Sequence, residues 1–432
     1  MENDLILDID NVGPISHAKI NIGKINVVGG INSSGKSTAS KLLYCFLRAN
    51  SNNNLLSYEH FYESLRNIER YLPMAKSYLN NEYANKLYTS FRQLRNSVVH
   101  GGTEEDLIKN FDDFSKVFNE LSIKYFIMFE KDPRFRRLKL NYETMEKYVS
   151  DTLKNPEKIY ISNLTELIDL EFNIQGKSDF GGISKLYLPK SSFEQKINFA
   201  EYEFNQKNSY PIEEIYYLDS FSIYDDDNLG LFNSEHVQSL TKSLYQPYQI
   251  KPGFNDSLEL ILNELLLKIN NLINGSITAI RRKENLFVNS EDVSSPMKNT
   301  ASGIKQIGVV QRLISNHKLT PGSFLIIDEP EVNLHPAWQV KFAEILVLIS
   351  LELDVTIYIN THSPMFIESL SLFSEFYGLL EETNVYLTED DENSKFTFKK
   401  INPKDMGAVY ENLSRPYDDL DDLKSKILFK ED

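Results

Sequence analysis

Gly30-Ile31-Asn32-Ser33-Ser34-Gly35-Lys36-Ser37 decides the fold. Its spacing is glycine, four residues, then Gly-Lys-Ser. It follows the apolar run Ile25-Asn26-Val27-Val28 and opens a stretch, Lys36 to Leu47, in which Leu42, Leu43 and Phe46 share one helical side. Strand, glycine-rich turn and helix in that order make a phosphate cradle. The glycines let backbone N–H groups curl around phosphate oxygens at a helix start, where the dipole favours an anion. On this reading Gly30, Asn32, Ser33, Ser34, Gly35, Lys36, Ser37 and Thr38 bind a nucleotide. Lys36 neutralises β/γ charge and assists catalysis, and the Ser37 hydroxyl takes Mg²⁺. A chance Gly/Ser loop would not need the flanking strand and helix.

Outward from this loop, the next chemistry lies far along the chain, at Phe324-Leu325-Ile326-Ile327-Asp328-Glu329. This is a buried strand closing on two acids. Asp328 is expected in the magnesium shell, and Glu329 is expected to orient or deprotonate the attacking water. Adjacent acids at a strand end can also be solvated turn residues; the phosphate loop favours the catalytic reading.

The longer run Asp328-Glu329-Pro330-Glu331-Val332-Asn333-Leu334-His335-Pro336 resembles the Walker B and D-loop of ABC-type ATPases in the RecF, SMC and OLD-like group. Thr361-His362-Ser363-Pro364, after the next buried strand, resembles their switch histidine, which senses the γ-phosphate. Thr300-Ala301-Ser302-Gly303-Ile304-Lys305-Gln306 resembles the ABC signature: Gly303, Lys305 and Gln306 match, whereas Ala301, Ser302 and Ile304 depart. The resemblance implies ATP and Mg²⁺ as cofactors, Glu329, His362 and Lys36 as catalytic residues, and Ser37 and Asp328 as metal ligands. It also implies a dimer or higher oligomer in which Ser302 and Gly303 reach the nucleotide of the other subunit. An ordinary Ser/Gly helix cap fits the signature segment too. At the Q-loop position stand Asp219-Ser220, without a glutamine; Asp219 is a candidate for that role, and a simple strand-end turn is the favoured reading.

The resemblance covers residues 1 to about 48 and about 183 to 370. Between them helical periodicity takes over: Tyr58, Phe61, Leu65, Ile68 and Leu72 run to Pro73, Leu87, Phe91, Leu94 and Val98 run to Gly101-Gly102, and Leu107 to Tyr125 follow Thr103 as N-cap. The heptad-like step is too short for a coiled-coil arm, so a compact bundle is expected. The fold class is therefore α/β, an ABC-type P-loop ATPase head with an inserted all-helical subdomain. Its divisions are 1–50 (N-terminal lobe), 51–155 (helical insert), 156–370 (C-terminal lobe) and 371–432 (a short strand and helix tail).

Arg95-Asn96-Ser97-Val98-Val99-His100, at a helix end, resembles the Arg-Asn-x3-His motif of HEPN ribonucleases, which makes Arg95 and His100 candidate ribonuclease residues. The same residues suit a plain helix end, with Arg95 solvated and His100 where the dipole favours a cation. Further on, Arg134, Arg136, Arg137 and Lys139 form a basic run that fits nucleic acid or an acidic partner, or else a solvated face.

The 432 residues carry 62 Asp+Glu against 46 Lys+Arg, a formal charge of −16, which argues against a broad grip on nucleic acid but not against this local patch. A single cysteine, Cys45, excludes an intrachain disulfide and a cysteine zinc cluster and points to a cytoplasmic setting. Met1-Glu2-Asn3-Asp4-Leu5 lacks a secretory pattern, and the apolar runs are too short to span a membrane. Too few residues follow His362 for the nuclease module of OLD-type proteins. The resemblance then implies an ATP-hydrolysing switch, acting as sensor or scaffold of a prokaryotic anti-phage defence complex with a separate effector protein. The alternatives are an ATPase-gated ribonuclease and a DNA-repair or DNA-organising ATPase.

Overall fold

The computed structural model describes residues 5–50, 55–76, 78–99, 104–150, 164, 167–172, 181–187, 194–199, 203–205, 212, 214–219, 234–245, 256–280, 284–391 and 394–428. The chain divides into two compact units, Met1–Asn52 with Leu164–Asp432, and Asn53–Asn163. The buried Leu164, Leu167 and Ile168 belong to the first unit.

In the first unit the N-terminal strands are β1 (Leu5–Val12), β2 (Ile15–Ile22) and β3 (Ile25–Gly29). After the insert come β4 (Ile183–Tyr187), β5 (Glu194–Asn198), β6 (Glu203–Asn205) and β7 (Ile215–Leu218). A separate small sheet contains β8 (Gly275–Ile280), β9 (Glu284–Asn289) and β10 (Ser294–Pro296). The last four strands are β11 (Phe324–Asp328), β12 (Thr356–Thr361), β13 (Thr383–Asp390) and β14 (Phe396–Ile401). The large sheet has the order β6-β5-β4-β1-β2-β14-β13-β3-β12-β11-β7.

Its two halves follow different rules. From β13 to β7 the neighbours are parallel, and β3 and β11 are buried along their whole length. Strands covered on both faces need largely apolar runs, which Phe324–Ile327 supplies outright and Ile25–Gly29 supplies with one buried polar residue, Asn26, bonded to the Gly23 and Ile357 carbonyls. From β6 to β2 the neighbours are antiparallel, and β4 alternates between buried and half-buried positions. The opening hairpin pairs Leu5 with Ile22 through Val12 with Ile15. Residues 371–432 are more than a tail: β13 lies inside the sheet beside β3, with Val385, Tyr386 and Leu387 buried.

One face of the parallel half carries the helix Lys36–Asn50, whose Tyr44, Cys45 and Phe46 are fully buried. Burial pushes the Cys45 thiol well up, so it packs as a small apolar residue. The core of the other layer gathers Val27, Leu325, Ile327, Ile357 and Ile359 with Phe342 and Leu346 of the helix Pro336–Leu353. Trp338 packs against this core, as a packing residue should. The helix Glu235–Tyr245 is tied at both ends. At its start Glu235 accepts from Arg48 Nη2 at 2.8 Å, and at its end Arg312 Nη2 and Asn316 Nδ2 donate to the Leu244 carbonyl at 3.2 and 3.1 Å.

The second unit is the expected bundle, with helices Leu55–Lys76, Asn81–Val99, Glu104–Lys124, Phe126–Lys131 and Pro133–Tyr148. Phe61, Leu65, Ile68, Phe91, Leu94, Phe114, Phe118 and Tyr142 fill its core, Phe118 and Tyr142 stacked at 4.2 Å. The first helix continues through Pro73 to Lys76 instead of stopping there. A proline removes one N–H donor, and so close to a helix end the buried Leu65, Ile68 and Leu72 hold the last turn in place. Thr103, the expected N-cap, lies outside the described residues.

Candidate functional site

The phosphate loop sits where β3 gives way to the helix Lys36–Asn50. Ser33 (φ 62°) and Gly35 (φ 93°) take the left-handed turns that curl it, and Gly35 O accepts the first helical bond from Ala39 N at 2.9 Å. A Cβ on Gly30 would fall 1.8 Å from Thr388 Oγ1, so β13 presses directly on the loop and only glycine fits. Lys36 is almost buried, its Nζ donating to the carbonyls of Gly30 (3.0 Å) and Ile31 (2.8 Å). Burial pulls its pKa down to about 8, against the upward pull of Glu329, Asp328 and Glu331. The ammonium is thus poorly solvated and stands among the acids of the second motif.

Asp328 closes β11 in register with Asn360 of β12. Asn360 Nδ2 donates to its Oδ1, Tyr217 OH to its Oδ2 at 2.8 Å, and Ser37 also bonds to it. Ser40 Oγ joins the set, 2.9 Å from Asn360 Nδ2 and 3.1 Å from Tyr217 OH. Burial raises the Asp328 pKa, and the bonds from Asn360, Tyr217 and Ser37 counter it. A carboxylate and a hydroxyl in mutual contact beside a phosphate loop are hard oxygen donors. These residues therefore fit a small divalent cation such as Mg²⁺.

Glu329 leaves the strand with φ 51°, its N–H bonded to Asn360 O at 2.8 Å. That turn sends its half-exposed carboxylate to His362, whose Nε2 lies 3.0 Å from Oε1. Glu331 Oε1 accepts the His362 backbone N–H at 2.6 Å, so the two strand ends are stitched together twice. Ser363 then caps the helix Pro364–Phe376 by accepting from Phe366 N at 3.1 Å. The helix Ser302–Ser315 abuts the same turn: Gln306 Nε2 donates to Pro330 O at 2.5 Å, and a Cβ on Gly303 would sit 2.9 Å from Asn333 O. Ser302, at the exposed helix start, carries no side-chain cap before it.

Gly30 to Thr38, Asp328, Glu329 and His362 therefore come together at one end of the parallel strands, and the signature segment lies against the turn that follows. Tyr217, Asn360 and Glu331 were not singled out as site residues from sequence. Their only linear signal is polarity at the end of an apolar strand. An acid–histidine–acid arrangement around the buried His236 was also missed. His236 Nδ1 lies 2.5 Å from Glu171 Oε2 and its Nε2 lies 3.0 Å from Asp219 Oδ2, while its backbone N–H donates to Glu171 Oε1 at 3.0 Å. Burial works against a charged imidazole, but Asp219 and Glu171 outweigh it and push His236 up to about 9.

In the second unit Arg95 Nε pairs with Glu69 at 2.9 Å, and His100 lies outside the described residues. The basic run is engaged locally. Arg134 bonds to Asp132 and Tyr78, Arg136 to the Glu130 carbonyl, Arg137 to Tyr71 OH and Lys139 to Glu130. Among the described residues no helix is long and apolar enough to cross a membrane.

A nucleotide loop on a parallel α/β sheet, facing paired acids and a histidine, defines a P-loop ATPase. The family model described as AAA ATPase domain matches residues 6–367, and the chain belongs to that family. No curated protein matches it. Among solved structures it is similar to an SMC head domain from Thermotoga maritima, with 9% identity over 92% of this chain and 99% of that one and a TM-score of 0.35. It is also similar to an Smc head domain with an extended coiled coil derived from Pyrococcus furiosus (10%, 96% and 100%, TM-score 0.37). An Smc head domain with a coiled coil and joint derived from Pyrococcus yayanosii gives 9%, 95% and 99%, with a TM-score of 0.38.

Proposed function

We propose that this ATPase is an ABC-type switch that hydrolyses ATP with Mg²⁺. The observation that carries the reading is the Glu329–His362 contact of 3.0 Å, beside Lys36 and Asp328. Gly30 to Thr38 bind the phosphates, and Lys36 exchanges the Gly30 and Ile31 carbonyls for phosphate oxygen. Ser37 and Asp328 hold the cation, which when bound supplies charge neutralisation. Glu329 accepts a proton from the attacking water, and His362 orients Glu329 and meets the γ-phosphate.

The exposed start of the helix Ser302–Ser315 supports a closed dimer in which Ser302 and Gly303 complete the nucleotide site of a second copy. ATP closes the pair and hydrolysis opens it, which a separate effector protein reads. Its setting in a prokaryotic anti-phage defence complex rests on the family resemblance. The test is ATP turnover and ATP-dependent dimerisation by light scattering. Lys36→Ala should lose both, and Glu329→Gln should lose turnover while trapping the dimer. Turnover at the parent rate in both variants would overturn the reading.

A further inference from the structure

The core of the first unit takes its last described members, Val409 and Leu413, from the helix Met406–Leu413. The helix Arg415–Leu428 follows, and every residue from Leu420 to Ile427 is exposed. Leu420, Leu423 and Ile427 are spaced by three and four, so they share one side of this helix, with exposures of 50%, 52% and 53%. A helix of this length is marginal alone and draws its stability from covering an apolar side. Charged residues border that side in a fixed order. Asp421 and Lys424 stand on one flank, joined at 2.6 Å, and Asp422 and Lys426, one turn apart, stand on the other. On both flanks the acid precedes the base.

These four charges sum to zero, so the helix side selects neither a basic nor an acidic partner by net charge. Their order is what selects. When two such helices pair antiparallel through their apolar sides, equivalent flanks meet, and each aspartate comes within a turn of a lysine of the other copy. A parallel pair brings opposite flanks together at equal heights and sets aspartate near aspartate and lysine near lysine. We propose that Leu420, Leu423 and Ile427 form an antiparallel helix pair with the same residues of a second copy, joining two chains without nucleotide. This contact is separate from the ATP-driven closure at Ser302 and Gly303 and does not depend on it.

The experiment is sedimentation equilibrium of the full chain in EDTA without nucleotide, over a concentration series reaching about 100 µM. The parent should show a reversible monomer–dimer equilibrium. Leu423→Asp should weaken it by about tenfold or more at an unchanged melting temperature, because the residue is exposed in the single chain. Lys424→Glu with Lys426→Glu makes both flanks acidic, and Asp421→Lys with Asp422→Lys makes both basic; each pair of changes should weaken self-association, and mixing the two variants should restore dimers. Ile427→Cys, away from the midpoint of an antiparallel pair, should form no disulfide-linked dimer on oxidation, whereas Leu423→Cys should. A parent that stays monomeric throughout, a dimer unchanged by Leu423→Asp, or charge variants that stay apart when mixed would overturn the proposal. Disulfide formation by Ile427→Cys and not by Leu423→Cys would overturn the antiparallel order.

Discussion

The backbone N–H of His362 is bonded to a carboxylate oxygen of Glu331 at 2.6 Å. The histidine that faces Glu329 is therefore held by its main chain from a residue two places along from Glu329. Glu331→Ala should lower kcat by about tenfold or more and leave the ATP KM within a few-fold, since the bond orients a catalytic pair without touching substrate. Steady-state hydrolysis over a range of ATP concentrations reads the split; a change confined to KM would contradict it.

Gly30 has no room for a methyl group because Thr388 of β13 stands against it. Gly30→Ala should reduce nucleotide affinity at least tenfold. Adding Thr388→Ala should recover part of the loss, because it removes the nearest clashing atom but leaves the Thr388 Cβ at 2.9 Å. Fluorescent ATP titrations of both variants test this, and equal affinities for single and double variants would count against the contact.

Arg48 and Glu235 form a pair whose side chains are 7% and 5% exposed, and Tyr44 OH donates to the same carboxylate. Removing one partner leaves a buried charge uncompensated. Arg48→Met should therefore cost about 3–5 kcal/mol of unfolding free energy, measured by urea denaturation. Losing less than about 1 kcal/mol would show that Glu235 is satisfied without the arginine.

His236 supplies a pH signature. Its folded-state pKa is raised from the ordinary 6.5 to about 9, so its contribution is complete below about pH 6.5 and is lost as pH rises through 9. Melting temperature of the protein without nucleotide should fall across that window, with a total effect at most on the order of 3 kcal/mol. His236→Gln should flatten that slope. Glu171, Asp219, Tyr217 and Tyr44 surround the ring.

The phosphate loop and the acids of β11 could be read from sequence because glycine spacing and strand-end carboxylates are local patterns tied to one chemistry. His362 was legible through its distance from β11, one strand further on. Glu171, Asp219 and His236 were not assembled: they come from three separated segments, and no spacing links them. The interior place of β13 was hidden for a related reason, since its alternative as a peripheral strand has the same apolar pattern. At Pro73 the local breaker rule was overridden by the buried residues beside it.

The helix Glu235–Tyr245 carries a further consequence. Its first turn is bolted to the phosphate-loop helix and, through His236, to the end of β7, while its last carbonyls are gripped by Arg312 and Asn316 of the segment that begins at Ser302. An α-helix of eleven residues neither stretches nor compresses appreciably, because each turn is braced by its own hydrogen bonds. It is a strut. Within a single subunit one short helix thus ties together the C-terminal end of the phosphate-loop helix, the end of β7 and the C-terminal end of the helix that begins at Ser302.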